Sequence, residues 1–579
     1  MPEEQNGRET DRRDTCREKV MSEEYRDFIY ETDMPFEMEL VAEERLCEQE
    51  IGFSYRTVYI PKLYTDPLTL ERFSYGSIPK CYTLLDTEML NQSGISEVQN
   101  YPTLRLMGEG VMIGIIDTGI DYQNPVFRNA DGSTRIAAIW DQTIQEGNVP
   151  EGFLYGTEYD RNRINEALES DNPLEIVPSV DGESKHGTFV ASIAAGSENV
   201  EAGFLGAAPK ATLGIVKLKE AKKYLKDFYF IKNDAVCYQE NDIMLGIRYL
   251  ELLARKNNLP LVLCIALGTN QGDHNGTSPL GHLLTGYADV NNLAIVLGAG
   301  NEANQRHHYY GREEEIHTPR TIEIRVGEGV NGFVMEMWTD IPNVFTASII
   351  SPGGERIPFV PLRQSGSGQV YRFVFEKTTV YLDYRLFVER TNSELIFIRF
   401  EEPSPGIWKL EVEANRIADG IFHVWLPVTE FLSGEVYFLL SDPDTTITEP
   451  GCVRNAVTAA NYNGENHSIA IDSGRGYTRN GSIKPDFAAP GVEVTGAAGR
   501  NQFVERTGSS IATAVTAGAS ALLMEWLYYQ VGKRNVDTVQ IKNLLILGTE
   551  RVEFEEFPNR RWGYGKMNLY HTFEELRSF

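Results

Sequence analysis

The sequence lacks several features that would mark other classes of protein. Its six cysteines form no CxxC pair and no spacing typical of a metal site, so a zinc framework is not indicated. The formal net charge of −29 argues against partners such as nucleic acid or an anionic membrane, because both require basic patches. No run of 18 apolar residues is present, so no membrane-spanning segment is predicted.

A secretion signal is also missing from the N-terminal segment. Residues 1–19, MPEEQNGRETDRRDTCREK, contain no apolar core of the kind a signal peptide needs. We therefore expect the protein to stay inside its cell, unless it leaves by lysis or an unrecognised route. In a reducing compartment all six cysteines are expected to remain thiols.

The length of 579 residues predicts two or three folded units. The segments YRDFIYET at 25–32 and SYRTVYIP at 54–61 are typical of strands and predict a small N-terminal unit. From about residue 111, short apolar runs indicate strands buried on both faces. These runs are VMIGII at 111–116, ATLGIVKL at 211–218, LVLCIAL at 261–267 and LAIVLGAG at 293–300.

Helical periodicity lies between two of these runs, since apolar side chains recur at helical spacing from Ile243 to Leu253. Strands that alternate with helices predict an α/β fold with a parallel sheet. Residues 320–440 differ, because short segments rich in Val, Ile, Phe, Tyr and Thr alternate there with turn residues, and no long helix is predicted. We expect an all-β sandwich or jelly roll that interrupts the α/β domain. The α/β pattern resumes near residue 452.

Three motifs carry candidate catalytic side chains: IGIIDTGID with Asp117, KHGTFVASIAAG with His186, and RTGSSIATAVTAGASALL with Ser510. Each alone has an ordinary alternative, namely a turn or capping aspartate, a surface histidine, and a serine that caps a small-residue helix. Together they are far more specific. The order Asp, His, Ser, each with its own flanking pattern, predicts a triad for nucleophilic attack on an acyl group.

These motifs resemble the subtilisin-like (S8 family) serine peptidases, and VLGAGNEAN at 296–304 resembles the family's oxyanion segment. The resemblance implies that Ser510 is the nucleophile, His186 the base, Asp117 its orienting carboxylate, and Asn301 a donor to the oxyanion. It also implies that an extended protein or peptide substrate binds along one segment and that a second segment walls the specificity pocket. The substrate-binding residues would be Ala266, Leu267, Gly268, Gly298, Ala299 and Gly300, with the base of the pocket near Tyr310–Gly311.

A narrower resemblance is to the clostridial Csp-type germination proteases, carried by VQNYPTLRLMGEGVMIGIIDTGIDYQNP, IWDQTI and SGRGYTR. It implies a limited-processing protease that activates a precursor protein in the bacterial cytoplasm or the spore. It also implies four segments in the chain. These would be an N-terminal tail and prodomain at 1–90, a catalytic domain at 91–314 and 448–579, and a jelly-roll insertion at 315–447. The prodomain would be a partner of the enzyme and its first substrate, cleaved within residues 72–90.

Some positions depart from the family pattern. Ala514 stands where a proline is usual, Ser509 where a threonine is usual, and Ser192 where a glycine is usual. All are small, so we expect the turn at the nucleophile to survive. The loop at 197–204 stands where many members of the resembled family bind calcium, but it lacks their Asn-rich pattern. We therefore predict no cofactor and no metal, with calcium left as an alternative that the loop sequence does not support.

Two alternative functions stay open at this point. A subtilisin-like pseudoprotease could act as a sensor or scaffold, although all three triad residues are present. A broad-specificity housekeeping protease would keep the same triad, although the large β insertion favours a more selective enzyme. Labelling by a fluorophosphonate, which needs an activated serine, would separate the pseudoprotease from either enzyme.

Overall fold

The structure is a computed structural model that describes residues 24–31, 47–52, 55–65, 88–221, 223–359, 369–388, 391–551 and 553–577. It divides into two compact units, residues 1–84 and residues 85–579. The predicted N-terminal segment ended at residue 90, and helix Glu88–Gln92 of the second unit crosses that boundary. Residues 72–87, which include most of the predicted self-cleavage segment, lie outside the described residues.

The first unit contains an antiparallel sheet of three strands. Its elements are β1 (Tyr25–Glu31), β2 (Cys47–Gly52), β3 (Tyr55–Pro61) and α1 (Lys62–Thr65), with the strand order β1-β3-β2. The strands predicted at 25–32 and 54–61 are confirmed by β1 and β3. Strand β2 was not predicted, because its sequence CEQEIG is mostly polar and has no run of β-branched residues.

The second unit begins with strands and helices in alternation. Its first strands are β4 (Met112–Asp117), β5 (Ile136–Asp141), β6 (Thr157–Asp160), β7 (Thr212–Lys217), β8 (Leu261–Ile265) and β9 (Leu293–Gly298). Its first helices are α2 (Glu88–Gln92), α3 (Ile95–Asn100), α4 (Arg161–Glu169), α5 (Pro173–Ile176), α6 (His186–Ala195), α7 (Lys223–Phe228), α8 (Glu240–Lys256) and α9 (Pro279–Ala288), with a 3₁₀ turn at Pro125–Phe127.

An all-β segment follows. Its strands are β10 (His308–Arg312), β11 (Arg320–Val326), β12 (Gly332–Asp340), β13 (Val344–Ile350), β14 (Arg356–Ile357), β15 (Gln369–Arg372), β16 (Thr379–Arg385), β17 (Ser393–Glu401), β18 (Gly406–Arg416), β19 (Ile421–Trp425) and β20 (Val436–Phe438), with a 3₁₀ turn at Thr429–Phe431.

The chain then returns to the α/β pattern. The last elements are β21 (Val457–Tyr462), β22 (Phe487–Pro490), β23 (Val494–Ala497), β24 (Phe503–Arg506), α10 (Ser509–Glu525), α11 (Thr538–Leu547) and α12 (Leu569–Arg577), with a π-helical turn at Trp526–Gln530.

The predicted parallel sheet is confirmed and has eight strands in the order β22-β21-β9-β8-β4-β7-β5-β6. Every neighbouring pair is parallel except β5 and β6. Strand β4 lies inside the sheet and is buried along its whole length. The carboxyl ends of β4, β8 and β9 therefore open on the same edge, where ligand sites of such sheets lie.

Helix α10 passes through the core on one side of the sheet. Ala, Ser and Thr dominate its sequence, and nearly all of its side chains are buried, because small residues let the helix pack closely against α6 and β21. With the turn that follows, Ser509–Gln530 is the one helix among the described residues that is long and apolar enough to cross a membrane. Since 83% of the apolar 18-residue stretch of this helix is buried in the protein, it is a core helix.

The all-β segment forms two antiparallel sheets, in the orders β10-β19-β12-β17-β16-β15 and β14-β13-β18-β11-β20. Their inward side chains share one hydrophobic core, which includes Ile324, Met335 and Ile398, so we call this segment the inserted sandwich. The predicted all-β insertion is confirmed. Its first sheet already includes β10, which begins at His308, seven residues before the predicted boundary at 315.

Buried aromatic and charged contacts join the inserted sandwich to the parallel-sheet domain. The ring of His274 stacks on Trp425 of β19 with centroids 4.0 Å apart. Arg479 donates hydrogen bonds to Asp340 Oδ1 at 2.7 Å and to Ser393 Oγ at 2.6 Å, both in the sandwich. The sandwich is therefore packed against the domain that it interrupts and belongs to the same compact unit.

Candidate active site

Asp117 is the last residue of β4 and therefore lies at the carboxyl edge of the sheet, within the candidate site. Its side chain is only 1% exposed. The Thr118 N–H donates to Asp117 Oδ1 at 2.7 Å, and His186 Nδ1 lies 2.8 and 2.9 Å from the two carboxylate oxygens. This geometry fixes the imidazole orientation and leaves the other ring nitrogen, Nε2, for a reacting proton.

His186 is the first residue of α6, and glycines allow it to approach Asp117 so closely. A side chain at position 187 would overlap the carbonyl of Gly119. Gly119 itself has φ +123°, a conformation that L side chains rarely adopt. The geometry of the site therefore requires glycine at positions 119 and 187, which follow Asp117 and His186 in the sequence.

A second acidic side chain, Asp181, holds the start of α6 in place. It accepts hydrogen bonds from the Thr188 N–H at 2.8 Å and from Thr118 Oγ1 at 2.5 Å, and Thr118 Oγ1 accepts one from the Gly187 N–H at 2.9 Å. Helix α6 has no side-chain cap of its own, so this network satisfies its free N–H groups. The sequence analysis missed Asp181, although it precedes His186 by only five positions.

Ser510 lies in the first turn of α10, where free backbone N–H groups and the helix dipole favour negative charge. Asn301 Oδ1 accepts a hydrogen bond from the Ser509 N–H at 2.9 Å, which orients its amide. A methyl group at Gly508 would lie 3.7 Å from Asn301 Nδ2 and 4.0 Å from the Ser510 nitrogen. Both nitrogen atoms therefore lie beside one common space, as stabilisation of an oxyanion requires.

The loops before Ser510 and His186 are tied together. Arg506 donates to the Ser184 carbonyl at 2.6 Å, and its guanidinium lies 5.0 Å from the centre of the Phe189 ring in α6. No hydrogen bond joins Ser510 Oγ to His186 among the contacts of these two described residues. Such a bond is often long before substrate binds and shortens in the complex.

Two opposing effects act on the pKa of His186. Burial lowers the pKa, whereas the negative charge and the hydrogen bonds of Asp117 raise it, and the net result is a raised pKa. The side chain remains 29% exposed, so it can reach a substrate. A raised pKa makes the ring a stronger base once it is neutral.

The predicted substrate segments follow β8 and β9. Strand β8 pairs with β9 as far as Ile265, and pairing resumes at Thr269, which exchanges two hydrogen bonds with Glu449 at 2.9 Å each. Ala266, Leu267 and Gly268 lie between these two paired stretches. Gly298 ends β9, and Ala299 and Gly300 follow it beside Asn301.

The residues around the predicted pocket come from two parts of the chain. Tyr310 and Gly311, near which the base of the pocket is predicted, lie in β10 of the inserted sandwich. Thr448 contacts both predicted walls, because a side chain at either Gly268 or Gly300 would clash with Thr448 Oγ1. The sequence analysis missed Thr448, since it lies far along the chain, where the inserted sandwich ends.

One departure from the family pattern now has a structural explanation. Ser192, where a glycine is usual, is fully buried. Its hydroxyl donates to the Phe189 carbonyl at 2.8 Å and accepts from the Ala497 N–H at 2.9 Å, so it links α6 to β23. Within the described residues, no group of three or more His, Cys, Asp or Glu side chains is placed to hold a metal ion.

Comparison with known families gives a match to the Subtilase family over residues 108–359 and 441–565. The chain belongs to this family of serine endopeptidases. The internal gap in the match, residues 360–440, falls in the inserted sandwich. The family motifs therefore surround the sandwich on both sides, as the sequence analysis expected.

Among solved structures, this subtilase is similar to the CspB protease of Clostridium perfringens. The two are 30% identical with a TM-score of 0.74, over 85% of this chain and 99% of that one. The serine protease AprX of Bacillus subtilis is 29% identical over 155 residues, 23% of this chain and 33% of AprX. The C5a peptidase of Streptococcus pyogenes is 22% identical over 72% of this chain and 34% of that peptidase. The matches thus span about a third of these curated relatives.

Proposed function

We propose that this subtilase hydrolyses peptide bonds through Ser510, His186 and Asp117. Ser510 Oγ attacks the scissile carbonyl, and His186 takes its proton and later gives it to the leaving amine. Asp117 holds the imidazole and stabilises its charged form, and the oxyanion is held by Asn301 Nδ2 and the Ser510 N–H. The observation that carries the proposal is the 2.8 Å contact between His186 Nδ1 and Asp117 at the end of β4.

The test of this chemistry is labelling by a fluorophosphonate, together with turnover of an unstructured protein substrate. The wild type should be labelled and Ser510→Ala should be inert with an unchanged circular dichroism spectrum. Ser520→Ala is a matched control, since Ser520 is a buried serine of the same helix, three turns away. Turnover by Ser510→Ala at the wild-type rate would disprove the assignment, and an unlabelled, inactive wild type would favour a pseudoprotease.

We propose further that this enzyme activates a precursor protein by limited cleavage, in the manner of the Csp-type germination proteases, inside a bacterial cell or spore. The relatedness to the CspB protease over almost its whole length supports this role. The position of Thr448 also supports selective cleavage, because its side chain fills the space between Gly268 and Gly300, which belong to the two predicted walls of the specificity pocket. One or two cuts in a folded precursor, with little hydrolysis of casein, would agree with it, and rapid degradation of casein would contradict it.

The N-terminal unit is proposed to be a prodomain that the enzyme removes from itself. Its sheet has only three short strands, which places it near the lower limit of independent stability. Cleavage within one chain is favoured by the high effective concentration of the tethered segment. Purified wild type should give two fragments on a denaturing gel and Ser510→Ala a single band. A wild type that is active as one full-length band would exclude self-processing.

A further inference from the structure

The carboxylate of Glu302, the residue after Asn301, lies buried where the parallel-sheet domain meets the inserted sandwich. Its side chain is 7% exposed. A carboxylate in the interior needs hydrogen-bond donors around it, because an unpaired buried charge is costly. His307 Nδ1 donates to Glu302 Oε2 at 2.7 Å, and Asn270 Nδ2 donates to the same oxygen at 3.1 Å. We call these three side chains the Glu302 clamp.

The Glu302 clamp is bonded to the inserted sandwich. Asn270 Nδ2 also donates to the Leu426 carbonyl at 3.2 Å, and the Leu426 N–H donates to the His307 carbonyl at 2.9 Å. Leu426 directly follows β19. The Thr429 N–H, three residues further on, lies 3.5 Å from Glu302 Oε1. The carboxylate is therefore held by the domain loop that carries Asn270 and by the segment that leaves β19.

The Glu302 clamp also closes the turn through which the chain enters the sandwich. His308 begins β10, so Glu302 and His307 are the two ends of the segment between Asn301 and the first strand of the sandwich. The Gln305 N–H donates to the Glu302 carbonyl at 3.2 Å, which keeps this segment compact. A connection this short couples the position of Asn301 to that of the sandwich.

Asn301 depends on its neighbours for its own position. Within the part of the chain that the structure describes, its one hydrogen bond is the one that Oδ1 accepts from the Ser509 N–H. The Gly300 carbonyl before it accepts a backbone hydrogen bond at 2.9 Å, and the Ala303 N–H after it donates one at 3.1 Å. Asn301 is exposed, whereas the adjacent Glu302 is buried. A displacement of the Glu302 side chain would therefore move the backbone of Asn301.

The chemistry assigned to Asn301 is sensitive to such a displacement. A donor stabilises an oxyanion when it lies about 2.7–3.1 Å from the atom on which the charge develops. A misplacement of about 1 Å by a residue remote from the chemistry can cost roughly a hundredfold in rate. The buried charge of Glu302 and its two side-chain donors supply a rigid support for an exposed donor.

We propose that Glu302 is a positioning residue for the oxyanion donor, and that the Glu302 clamp fixes Asn301 to the inserted sandwich. The inference rests on the proposed endopeptidase function and deepens it, because it gives the sandwich a role in the chemical step. Glu302 does not touch the reacting atoms and acts through Asn301.

The experiment is a double-mutant cycle between Glu302 and Asn301, measured as kcat and KM for one peptide. Glu302→Gln keeps the shape of the side chain and removes its charge. It should lower kcat by at least about tenfold with KM nearly unchanged, because the oxyanion exists only in the transition state. In the Asn301→Ala background the same substitution should change kcat by less than about twofold, since the donor that it positions is gone.

Two further variants separate positioning from stability. Glu313→Gln is the matched control, because Glu313 is a 7% exposed carboxylate that pairs with Arg320 within the sandwich. It should lower the unfolding temperature, as Glu302→Gln does, and leave kcat at the wild-type value. His307→Ala should reproduce the loss of kcat, and His307→Asn, whose amide nitrogen can take the place of Nδ1, should restore much of it.

Hydrogen–deuterium exchange over residues 299–304 gives a readout that needs no turnover. Exchange there should be severalfold faster in Glu302→Gln than in the wild type and unchanged in Glu313→Gln. Unchanged exchange in Glu302→Gln would overturn the clamp even in an enzyme that a fluorophosphonate labels. A wild type that is not labelled would overturn the endopeptidase function, and the exchange result would still decide whether the clamp holds the segment.

Three kinetic results would overturn the proposal. Wild-type kcat in Glu302→Gln would mean that the clamp does not position the donor. An equal loss of kcat with and without the Asn301 amide would mean that Glu302 acts elsewhere. A raised KM with unchanged kcat would assign Glu302 to substrate binding and not to the oxyanion.

Discussion

Asp181 Oδ2 accepts a hydrogen bond from the Thr188 N–H at 2.8 Å, so a buried carboxylate outside the proposed triad anchors the helix on which His186 lies. The carboxylate also accepts from the Gly182 N–H at 2.7 Å and from Thr118 Oγ1. Asp181 therefore ties the loop before His186 both to Thr118, the residue after Asp117, and to the first turn of α6. Asp181 acts as a positioning residue, since its contacts reach the reacting atoms only through other groups.

Asp181→Asn tests this role. The amide keeps the shape of the side chain but replaces one acceptor by a donor, and the unpaired groups cost about 1–3 kcal/mol. We expect kcat to fall by at least tenfold with KM nearly unchanged. Glu183→Gln, an exposed acid in the same loop, is the matched control. Loss of stability with normal kcat in the folded fraction would show a merely structural role.

The shared space beside Gly508 gives a second prediction. Asn301→Ala removes one oxyanion donor and should lower kcat with little change in KM, because the oxyanion exists only in the transition state. Loss of one donor costs about 2.7–4 kcal/mol in a related subtilisin. Gly508→Ala should also lower kcat, since its methyl group would occupy the space proposed for the oxyanion, 3.7 Å from Asn301 Nδ2. A raised KM with unchanged kcat in Asn301→Ala would contradict the oxyanion role.

The pH profile depends on His186. The ring must be neutral to accept the Ser510 proton, so kcat/KM should fall as the pH drops through its pKa. Burial lowers this pKa, but Asp117 raises it by more, and the acid limb should therefore have its midpoint above the ordinary value of about 6.5. The measurement is kcat/KM for one peptide between pH 5 and about 9. A midpoint below the ordinary value would mean that burial outweighs the charge of Asp117.

The sequence predicted the elements that carry the proposed chemistry better than it predicted the pockets. Asp117, His186 and Ser510 lie in motifs whose flanking residue types are constrained by the site, as at position 187, where any side chain would overlap the carbonyl of Gly119 in the other motif. Local patterns of this kind are visible in one sequence. The apolar runs of β4, β7, β8 and β9 were equally clear, because strands buried on both faces need continuous apolar residues.

The remaining parts depend on contacts between distant segments. Thr448 lies between Gly268 and Gly300 only because the inserted sandwich returns the chain to the edge of the sheet. Nothing in its neighbours, TITEPG, indicates a pocket. Strand β10 is rich in His and Tyr rather than aliphatic residues, and its pairing with β19 extends the sandwich to His308. Such contacts can be identified only once the fold is known, since the residues that form them lie more than a hundred positions apart in the sequence.

Thr448 leads to a prediction about specificity. Thr448→Gly should deepen the pocket and raise kcat/KM for peptides with a large side chain before the scissile bond, relative to peptides with alanine there, by about tenfold. Thr448→Val keeps the branched shape without the hydroxyl and should leave this ratio near the wild-type value. Equal ratios in the wild type and Thr448→Gly would place the base of the pocket elsewhere.

The last prediction concerns how the inserted sandwich stiffens the enzyme. Arg479 is 3% exposed and bonds Asp340 and Ser393 of the sandwich as well as the Asp273 carbonyl at 2.8 Å. Arg479→Ala should cost about 1–3 kcal/mol of unfolding free energy and should speed proteolytic release of the sandwich. Arg356→Ala, which breaks an ion pair within the sandwich at a half-exposed side chain, should cost about 0–1 kcal/mol and release nothing. If the sandwich of the wild type is freed readily and full activity remains, it does not stiffen the catalytic domain.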